Sequence, residues 1–210
     1  MGLKQIKNIL TKEFSCSEDL DNTQASIVIG IGSSLPDDFS RFAGVLFVYF
    51  DNLIYLSDFN ANYRLYHYLK NVILKCSSTQ KIILQTKFPQ NTVLELLSKN
   101  YAEFYKMELG VRKEYDYPPF STLIKLFFQH HDHKICQKEA ERFYKELSNL
   151  FLPTEVEINA PYLYYLGKIR KRFRYIITLK IKNNLKKIQA LLYEKTPDFW
   201  SVDKNPLDLL

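Results

Sequence analysis

Cysteine is scarce in this sequence and scattered: Cys16, Cys76 and Cys136 are odd in number and form no CxxC pair. Neither a disulfide framework nor a cysteine-based zinc site is therefore encoded. No apolar run reaches the ~20 residues needed to cross a membrane. The opening Met-Gly-Leu-Lys-Gln-Ile-Lys-Asn lacks the apolar core of a signal peptide. A soluble cytoplasmic protein is the expectation. Glycine is also sparse, with 6 in 210 residues, which leaves few places for a glycine-rich phosphate loop. The one candidate, Gly30-Ile-Gly-Ser-Ser34, has no lysine, no GKS or GKT ending and no following GxxG half. It reads as a plain strand-to-loop turn. Acidic side chains are missing over one long stretch: from Ile158 through Tyr193 there is no Asp or Glu, against nine Lys or Arg.

Apolar residues make up 46% of the chain, enough to build a core for one large domain or two small ones. The net charge of +6 is unevenly placed. Residues 1–110 carry 11 basic and 11 acidic side chains, whereas residues 111–210 carry 18 and 12. The second half thus accounts for the whole excess, which suggests two units, the second facing an acidic partner such as nucleic acid.

That excess is concentrated at Gly167-Lys168-Ile169-Arg170-Lys171-Arg172-Phe173-Arg174-Tyr175, running on to Lys182. Phe173, Tyr175, Ile177, Leu179 and Ile181 share one parity, and Arg174, Thr178, Lys180 and Lys182 the other. Successive side chains of a strand point to opposite faces, so a strand over 173–182 is predicted with one oily and one basic face. The Arg/Lys run before it reads as a turn entered at Gly167. Five basic residues within seven positions, interleaved with aromatics, can neutralise several phosphates and offer rings for stacking. The candidate nucleic-acid-binding residues are Lys168, Arg170, Lys171, Arg172, Arg174, Lys180 and Lys182. The plainer alternative is a solvated edge strand with ordinary surface lysines.

In chain order, Lys4 and Lys7 with Leu3, Ile6, Ile9 and Leu10 suggest a short amphipathic helix. Ile27–Ile29, Val45–Phe50 and Lys81–Thr86 read as buried strands. Between and after them lie two helices. One runs from a cap at Asp58 to about Leu74, with Tyr63, Tyr66, Leu69 and Ile73 inward. The other runs from Thr92 to about Leu109, with Val93, Leu96, Leu97, Tyr101, Phe104 and Tyr105 inward. Apolar strands alternating with helices predict a small, mostly parallel α/β layer. At Tyr115-Asp-Tyr-Pro-Pro-Phe-Ser121 the two prolines stop a helix and impose an extended path, and a domain boundary is expected near residue 110. Tyr117 and Phe120 are expected to anchor this joint in the cores on either side. Beyond it come a strand (122–128), a helix (134–151) with Cys136, Ala140, Phe143, Leu147 and Leu150 inward, a strand (155–158) and the basic strand. A helix (184–195) on Leu185, Ile188, Leu191 and Leu192 and a last strand (199–203) follow. This is the split βαβ order, with helices on one sheet face and the other face open; Arg174, Lys180 and Lys182 would then lie on the open face. Two clusters invite a metal reading, His130-His-Asp-His133 and Asp37-Asp38 with Asp51 and Asp58. Neither has ligand spacing, and no metal site is expected.

The residues Tyr101-Ala-Glu-Phe-Tyr-Lys-Met-Glu-Leu109 and Arg112-Lys-Glu-Tyr-Asp-Tyr-Pro-Pro-Phe-Ser121 resemble the joint between motor and C-terminal domain in the primosomal protein N′ (PriA) family of replication-restart helicases. The Ala160-Pro161 step, Arg172-Phe-Arg174-Tyr175 and the terminal Val202-Asp203 with Pro206 and Leu209-Leu210 agree with it. Ser201 and Lys204-Asn205 depart from the family's usual Asp-Val-Asp-Pro. Residues 26–86 resemble the end of the second motor lobe, with losses. Leu56-Ser-Asp-Phe59 and Arg64 match a Leu-Pro-Asp-Phe-Arg-x-x-Glu-Arg region, but Asn60 and Tyr63 replace its Arg and Glu. Gly30–Ser34 stands where a Gly-Thr-Gln-Met-Ile segment couples ATP to DNA. Asn71–Ser78 stands where two arginines stabilise phosphoryl transfer, and Lys75 keeps a charge at one of those positions without the bidentate fork of arginine. No Walker A lysine, Asp-Glu-x-His box, zinc-binding cysteines or N-terminal DNA-binding domain is found.

The resemblance implies an α/β remnant of a RecA-like helicase lobe followed by an α+β, ferredoxin-like C-terminal domain. The expected division is an N-terminal helix and linker (1–25), the lobe remnant (26–110) and the C-terminal domain (111–210). It implies a protein of replication restart that binds branched or single-stranded DNA, or docks single-stranded DNA-binding protein or another primosome component. No ATP turnover, catalytic residue or cofactor is expected. The alternatives are one half of a split ATP-dependent helicase, and a protein-interaction module using its basic face.

Overall fold

A computed structural model describes residues 3–19, 22, 24–30, 36, 39–48, 50–54 and 58–209. The chain is mixed α/β and divides into two compact units. The first comprises Met1–Tyr49 and Leu69–Gln85, the second Phe50–Tyr68 and Thr86–Leu210. Four of the sequence expectations rest on residues outside the described set: most of the Gly30–Ser34 turn, the Asp37-Asp38 pair, Leu56-Ser57 of the Leu56–Phe59 match, and Leu210.

The first unit opens with helix α1 (Leu3–Leu10) and holds two parallel strand pairs: β1 (Cys16–Ser17) with β2 (Ile27–Val28), and β3 (Gly44–Phe47) with β4 (Lys81–Leu84). The strands expected at 27, 45 and 81 are therefore present in parallel pairs, but, contrary to expectation, none of their residues is buried. Among the described residues they form two separate two-stranded sheets rather than one layer. Gly44 is needed for close approach, because a Cβ there would lie 2.6 Å from the Lys81 carbonyl oxygen. Gln80 donates its amide to the carbonyls of Phe39 and Phe42, which ties the start of β4 to the segment before β3.

Helix α2 (Asp51–Ile54) was not anticipated. Asp51 accepts the Lys87 N–H with both carboxylate oxygens, at 3.2 and 3.0 Å. Helix α3 (Ala61–Lys75) buries Leu65, Tyr66, Leu69 and Val72, while the expected inward residues Tyr63 and Ile73 are exposed. The apolar stripe is rotated towards positions 65 and 72, because several tyrosines outside it are also apolar enough to mimic a core face. The single helix expected from Thr92 is two. α4 (Thr92–Leu96) is capped by Asn91, which accepts the Val93 N–H at 2.9 Å; α5 (Tyr101–Glu114) is capped by Asn100, which accepts the Glu103 N–H at 3.0 Å. Phe104 stacks flat on Tyr66 at 3.8 Å, whereas Tyr101 and Tyr105 are exposed.

The rest of the second unit is a five-stranded sheet with two helices on one face. It comprises β5 (Thr122–His130), α6 (His133–Leu150), β6 (Val156–Ile158), β7 (Tyr162–Ile169), β8 (Arg172–Ile181), α7 (Leu185–Lys195) and β9 (Ser201–Lys204). The strands are antiparallel in the order β6-β8-β5-β9, and β7 also pairs with β8. Asp132 caps α6 by accepting the Ile135 N–H at 3.1 Å. Of the predicted inward residues, Cys136, Ala140, Phe143 and Leu147 are buried against Tyr175, Ile177, Leu179 and Ile181 of β8, and Leu150 is half-buried at the edge of this core. Ile188 and Leu192 of α7 complete this core. The parity reading of β8 therefore gives the correct inner face. Burying a Leu or Ile side chain is worth about 1.5–3 kcal/mol, so this face supplies most of the sheet's adhesion to its helices.

The opposite face is not open, contrary to expectation. Leu123, Lys125, Ile176, Thr178 and Lys180 lie on it and are all buried. Two stretches of the same unit supply partners there. Tyr115 offers its carbonyl to Lys180, and the Tyr117 ring lies 4.5 Å from the Lys180 ammonium. Asp208 takes Lys125 at 3.1 Å, and the Leu209 carbonyl accepts from the Tyr162 hydroxyl. Tyr117 is half-buried and stacks on Phe59 at 5.2 Å, so its ring packs at this turn. Phe120 does not: its residue is 42% exposed. The Pro118–Pro119 peptide is cis.

Candidate nucleic-acid interface

The basic stretch is a β-hairpin. β7 pairs with β8 through Lys168↔Phe173 and Ile169↔Arg172, which leaves Arg170-Lys171 as a two-residue loop. The turn is therefore at 170–171 and not at Gly167, and β7 itself was missed. Arg170 and Lys171 have φ of 50° and 67°, the left-handed region demanded of both residues by the tight hairpin turn that favours Asn-Gly. Gly167, at φ 70°, sits instead in an irregularity of β7, where the register shifts between Leu163 and Lys168. A Cβ at Gly167 would meet nothing within 4 Å, so backbone conformation and not space selects glycine there.

The hairpin brings five of the seven candidate residues together. Lys168, Arg170, Lys171 and Arg172 are exposed. Lys168 and Arg172 sit on opposite faces of the ribbon: the Lys168 ammonium lies 4.4 Å over the Phe173 ring, and Arg172 donates from Nε to His131 Nε2 at 3.3 Å. Arg174 is half-buried on the face of Arg172. Its guanidinium lies over Phe127 at 4.4 Å and Tyr164 at 5.5 Å. Burial lowers its pKa. With the Gln129 amide oxygen turned towards it, Arg174 donates from Nε and Nη2 at 2.6 Å each. The irregularity in β7 also displays Tyr165, 63% exposed, with its ring 4.8 Å from Tyr164. Tyr165 was not among the candidates, because it lies ahead of the basic run, in Tyr162-Leu-Tyr-Tyr165.

Lys180 and Lys182 are elsewhere and engaged. Lys180 is buried, with its ammonium 3.2 Å from Glu157 and donating to the Tyr115 carbonyl at 3.1 Å. Lys182 pairs with Asp116 at 2.5 Å and Glu157 at 3.7 Å. The Asp116 hydrogen bond raises the Lys182 pKa and lowers that of Asp116. These two lysines fasten the joint at 115–117 to the sheet.

The other polar clusters have structural partners. His130 Nδ1 accepts the Asp132 N–H at 3.0 Å, and His133 Nε2 is 3.1 Å from the Tyr175 hydroxyl. Asp58 does not cap α3 with its side chain. Its buried carboxylate takes Arg64 and the Leu209 N–H. Among the described residues no group of three His, Cys, Asp or Glu could hold a metal ion, and no helix is long and apolar enough to cross a membrane. Arg112 joins three segments of the joint. It pairs with buried Glu108 at 2.8 Å, and donates to the Pro118 carbonyl at 3.1 Å and to Asn60 at 2.6 Å.

The second unit thus contains an antiparallel sheet backed by two helices, with a basic hairpin formed by two of its strands. Comparison with known proteins gives the relationship a name. The chain is 32% identical over 126 residues to replication restart protein PriA of Borreliella burgdorferi, covering 58% of the chain and 19% of that protein. It is 27% identical over 215 residues to PriA of Helicobacter pylori, covering 98% and 32%, and 25% identical over 146 residues to PriA of Bacillus subtilis, covering 68% and 18%. No family model matches the sequence. The chain is thus a relative of the PriA replication-restart proteins, matching a C-terminal part of them. It spans about a fifth of the length of the Borreliella relative and about a third of the Helicobacter one.

Proposed function

We propose that this chain is a DNA-binding relative of PriA acting in replication restart in the cytoplasm, with no ATP turnover of its own, and that the β7–β8 hairpin is its DNA contact. The observation that carries this is the placement of Lys168, Arg170, Lys171 and Arg172 at the free end of one ribbon, all exposed, with the exposed Tyr165 on the same strand as Lys168. Cations spaced in this way neutralise successive phosphates, and a neighbouring ring stacks on a base. Docking of single-stranded DNA-binding protein or another primosome component is the companion role. The strand order β6-β8-β5-β9, with α6 and α7 on one face, supports the split βαβ reading of residues 111–210, with β7 as an addition to it. The parallel pairs of the first unit support the reading of residues 26–110 as a lobe remnant.

Binding of branched, single-stranded and duplex DNA, followed by fluorescence anisotropy across a salt series, tests the reading. Lys168→Glu with Arg172→Glu is expected to weaken binding most at low salt and to lower the salt slope by about 1.4–1.8 units, at roughly 0.7–0.9 for each phosphate no longer neutralised. Lys138→Glu with Lys145→Glu, on the outer side of α6, is the matched control. Equal weakening by both pairs, or no binding by the wild type at low salt, sinks the reading; the second result reassigns the basic surface to an acidic protein partner. Arg174 is left out of the variant because its half-buried stacking on Phe127 and Tyr164 makes it structural as well.

A second reading, one part of a split ATP-dependent helicase, has one observation in its favour. In the parallel pair β3–β4, the directly paired Leu46 and Ile83 are 59% and 55% exposed on one face. Parallel strands are normally covered on both faces. A further layer of α/β structure packing there, whichever polypeptide supplies it, would cover them.

A further inference from the structure

The loop of the basic hairpin is built from residues ill suited to its backbone. A two-residue loop with φ positive at both positions favours Asn-Gly, because a Cβ crowds the carbonyl oxygen in the left-handed region. Here both positions hold long L-side chains, Arg170 at φ 50° and Lys171 at φ 67°. No internal interaction offsets this: among the described residues neither side chain makes an ion pair or a side-chain hydrogen bond, and both are exposed. The contrast with other cations of the same unit is sharp. Lys125, Lys180 and Lys182 are ion-paired, and Arg174 is stacked between rings. We propose that Arg170 and Lys171 are phosphate-gripping residues held at the tip at the expense of folding stability, so that a better turn sequence would make a more stable and weaker-binding protein. Backbone strain of this kind persists where the strained residues serve a site. The inference rests on the nucleic-acid reading of the hairpin, and it adds the claim that tip charge and turn geometry are in conflict.

Two double variants of the full chain separate the effects. Arg170→Asn with Lys171→Gly removes both charges and relieves the turn. Arg170→Gln with Lys171→Gln removes the charges and keeps the unfavourable backbone. Melting is read from Trp200 fluorescence, and binding by anisotropy with a labelled oligothymidine and a labelled duplex of about 20 nucleotides per strand. The Asn-Gly variant is expected to melt higher than wild type by roughly 2–4 °C, and the Gln-Gln variant to melt as wild type does. With two phosphates no longer neutralised, the wild-type advantage in affinity should be about 7–12-fold greater at 50 mM than at 200 mM salt, and this should hold for both variants. An Asn-Gly variant that binds like wild type at both salts, or melts at or below it, overturns the proposal while leaving the hairpin reading standing. Wild-type protein that binds neither probe removes both.

Discussion

Arg112→Ala is the perturbation whose consequence follows most directly from the structure. The Arg112 side chain is 14% exposed and that of its partner Glu108 5%, with 2.8 Å between Nε and the carboxylate. The guanidinium also donates to Pro118 and Asn60, and lies over the rings of Phe59 and Tyr63 at 5.6 and 5.8 Å. Truncation would leave a buried carboxylate without its cation and a carbonyl without its donor. Removing one partner of a buried pair typically costs about 3–5 kcal/mol, because the remaining charge is desolvated without compensation. For a protein of this size each kcal/mol lowers the melting point by roughly 2–4 °C, so a fall of roughly 6–20 °C is expected.

Trp200 is the sole tryptophan and is buried beside Phe143 in the second unit, so its fluorescence during urea unfolding reports on the unit that contains Arg112. The control is Glu108→Met with Arg112→Met, which removes both charges and should recover part of the stability. A cost below about 1 kcal/mol for Arg112→Ala, the range of an exposed ion pair, would refute the idea that this arginine ties α5 to the Pro118 loop and the start of α3.

Two further outcomes follow from burial and hydrogen bonding. Phe120→Ala should cost less than about 1.5 kcal/mol in the same unfolding assay, well short of the ~3–5 of a buried ring, because Phe120 is 42% exposed. The Glu139 carboxyl is held below its ordinary value of 4.5, chiefly by the hydrogen bond from Arg142 and also by that from Trp200. Its contribution to stability is therefore complete above pH 4.5 and lost as the pH falls through the depressed folded value. The stability difference between wild type and Glu139→Gln should shrink over that acid range, and a difference that stays constant there would contradict the assignment.

The inner faces of the second unit were legible because the physics that sets them is local. Alternation along β8 and 3.6-residue spacing along α6 each choose a face without reference to the rest of the chain, and Tyr175 to Ile181 and Cys136 to Leu147 are buried as that logic requires. The hairpin loop was misplaced for an equally local reason. Gly167 carries the usual turn signal but serves the irregularity in β7, while the true turn residues, Arg170 and Lys171, carry no turn signal. Residues 92–109 read as one continuous helix because Leu97 and Tyr101 keep the spacing across the break; the asparagine cap at 100 was the overlooked cue. Exposed aromatics on α3 and α5 shifted the predicted stripes, since periodicity weighs a tyrosine on a surface as heavily as one in a core.

The cover on the second face of the sheet could not be read in this way, and it divides the candidate cations by fate. Parity places Arg174 and Lys180 on one face of β8, but it says nothing about what lies over that face. The cover comes from residues 115–117 and 208–209, far away in sequence. A lysine beneath such a cover must find a partner or lose its charge, and each does find one: Lys180 takes Glu157 and the Tyr115 carbonyl, and Lys125 takes Asp208. These lysines hold the joint and the C-terminal segment to the sheet, so removing them would loosen the fold before it altered binding. Towards the free end of β8 the cations are half-buried at Arg174 and then exposed at Arg172, Lys171 and Arg170. This basic strand has a half engaged in structural contacts and a half that is exposed. The division between them is set by how far its cover extends along the strand, which is why the surface proposed to meet DNA is the hairpin end and not the whole basic face.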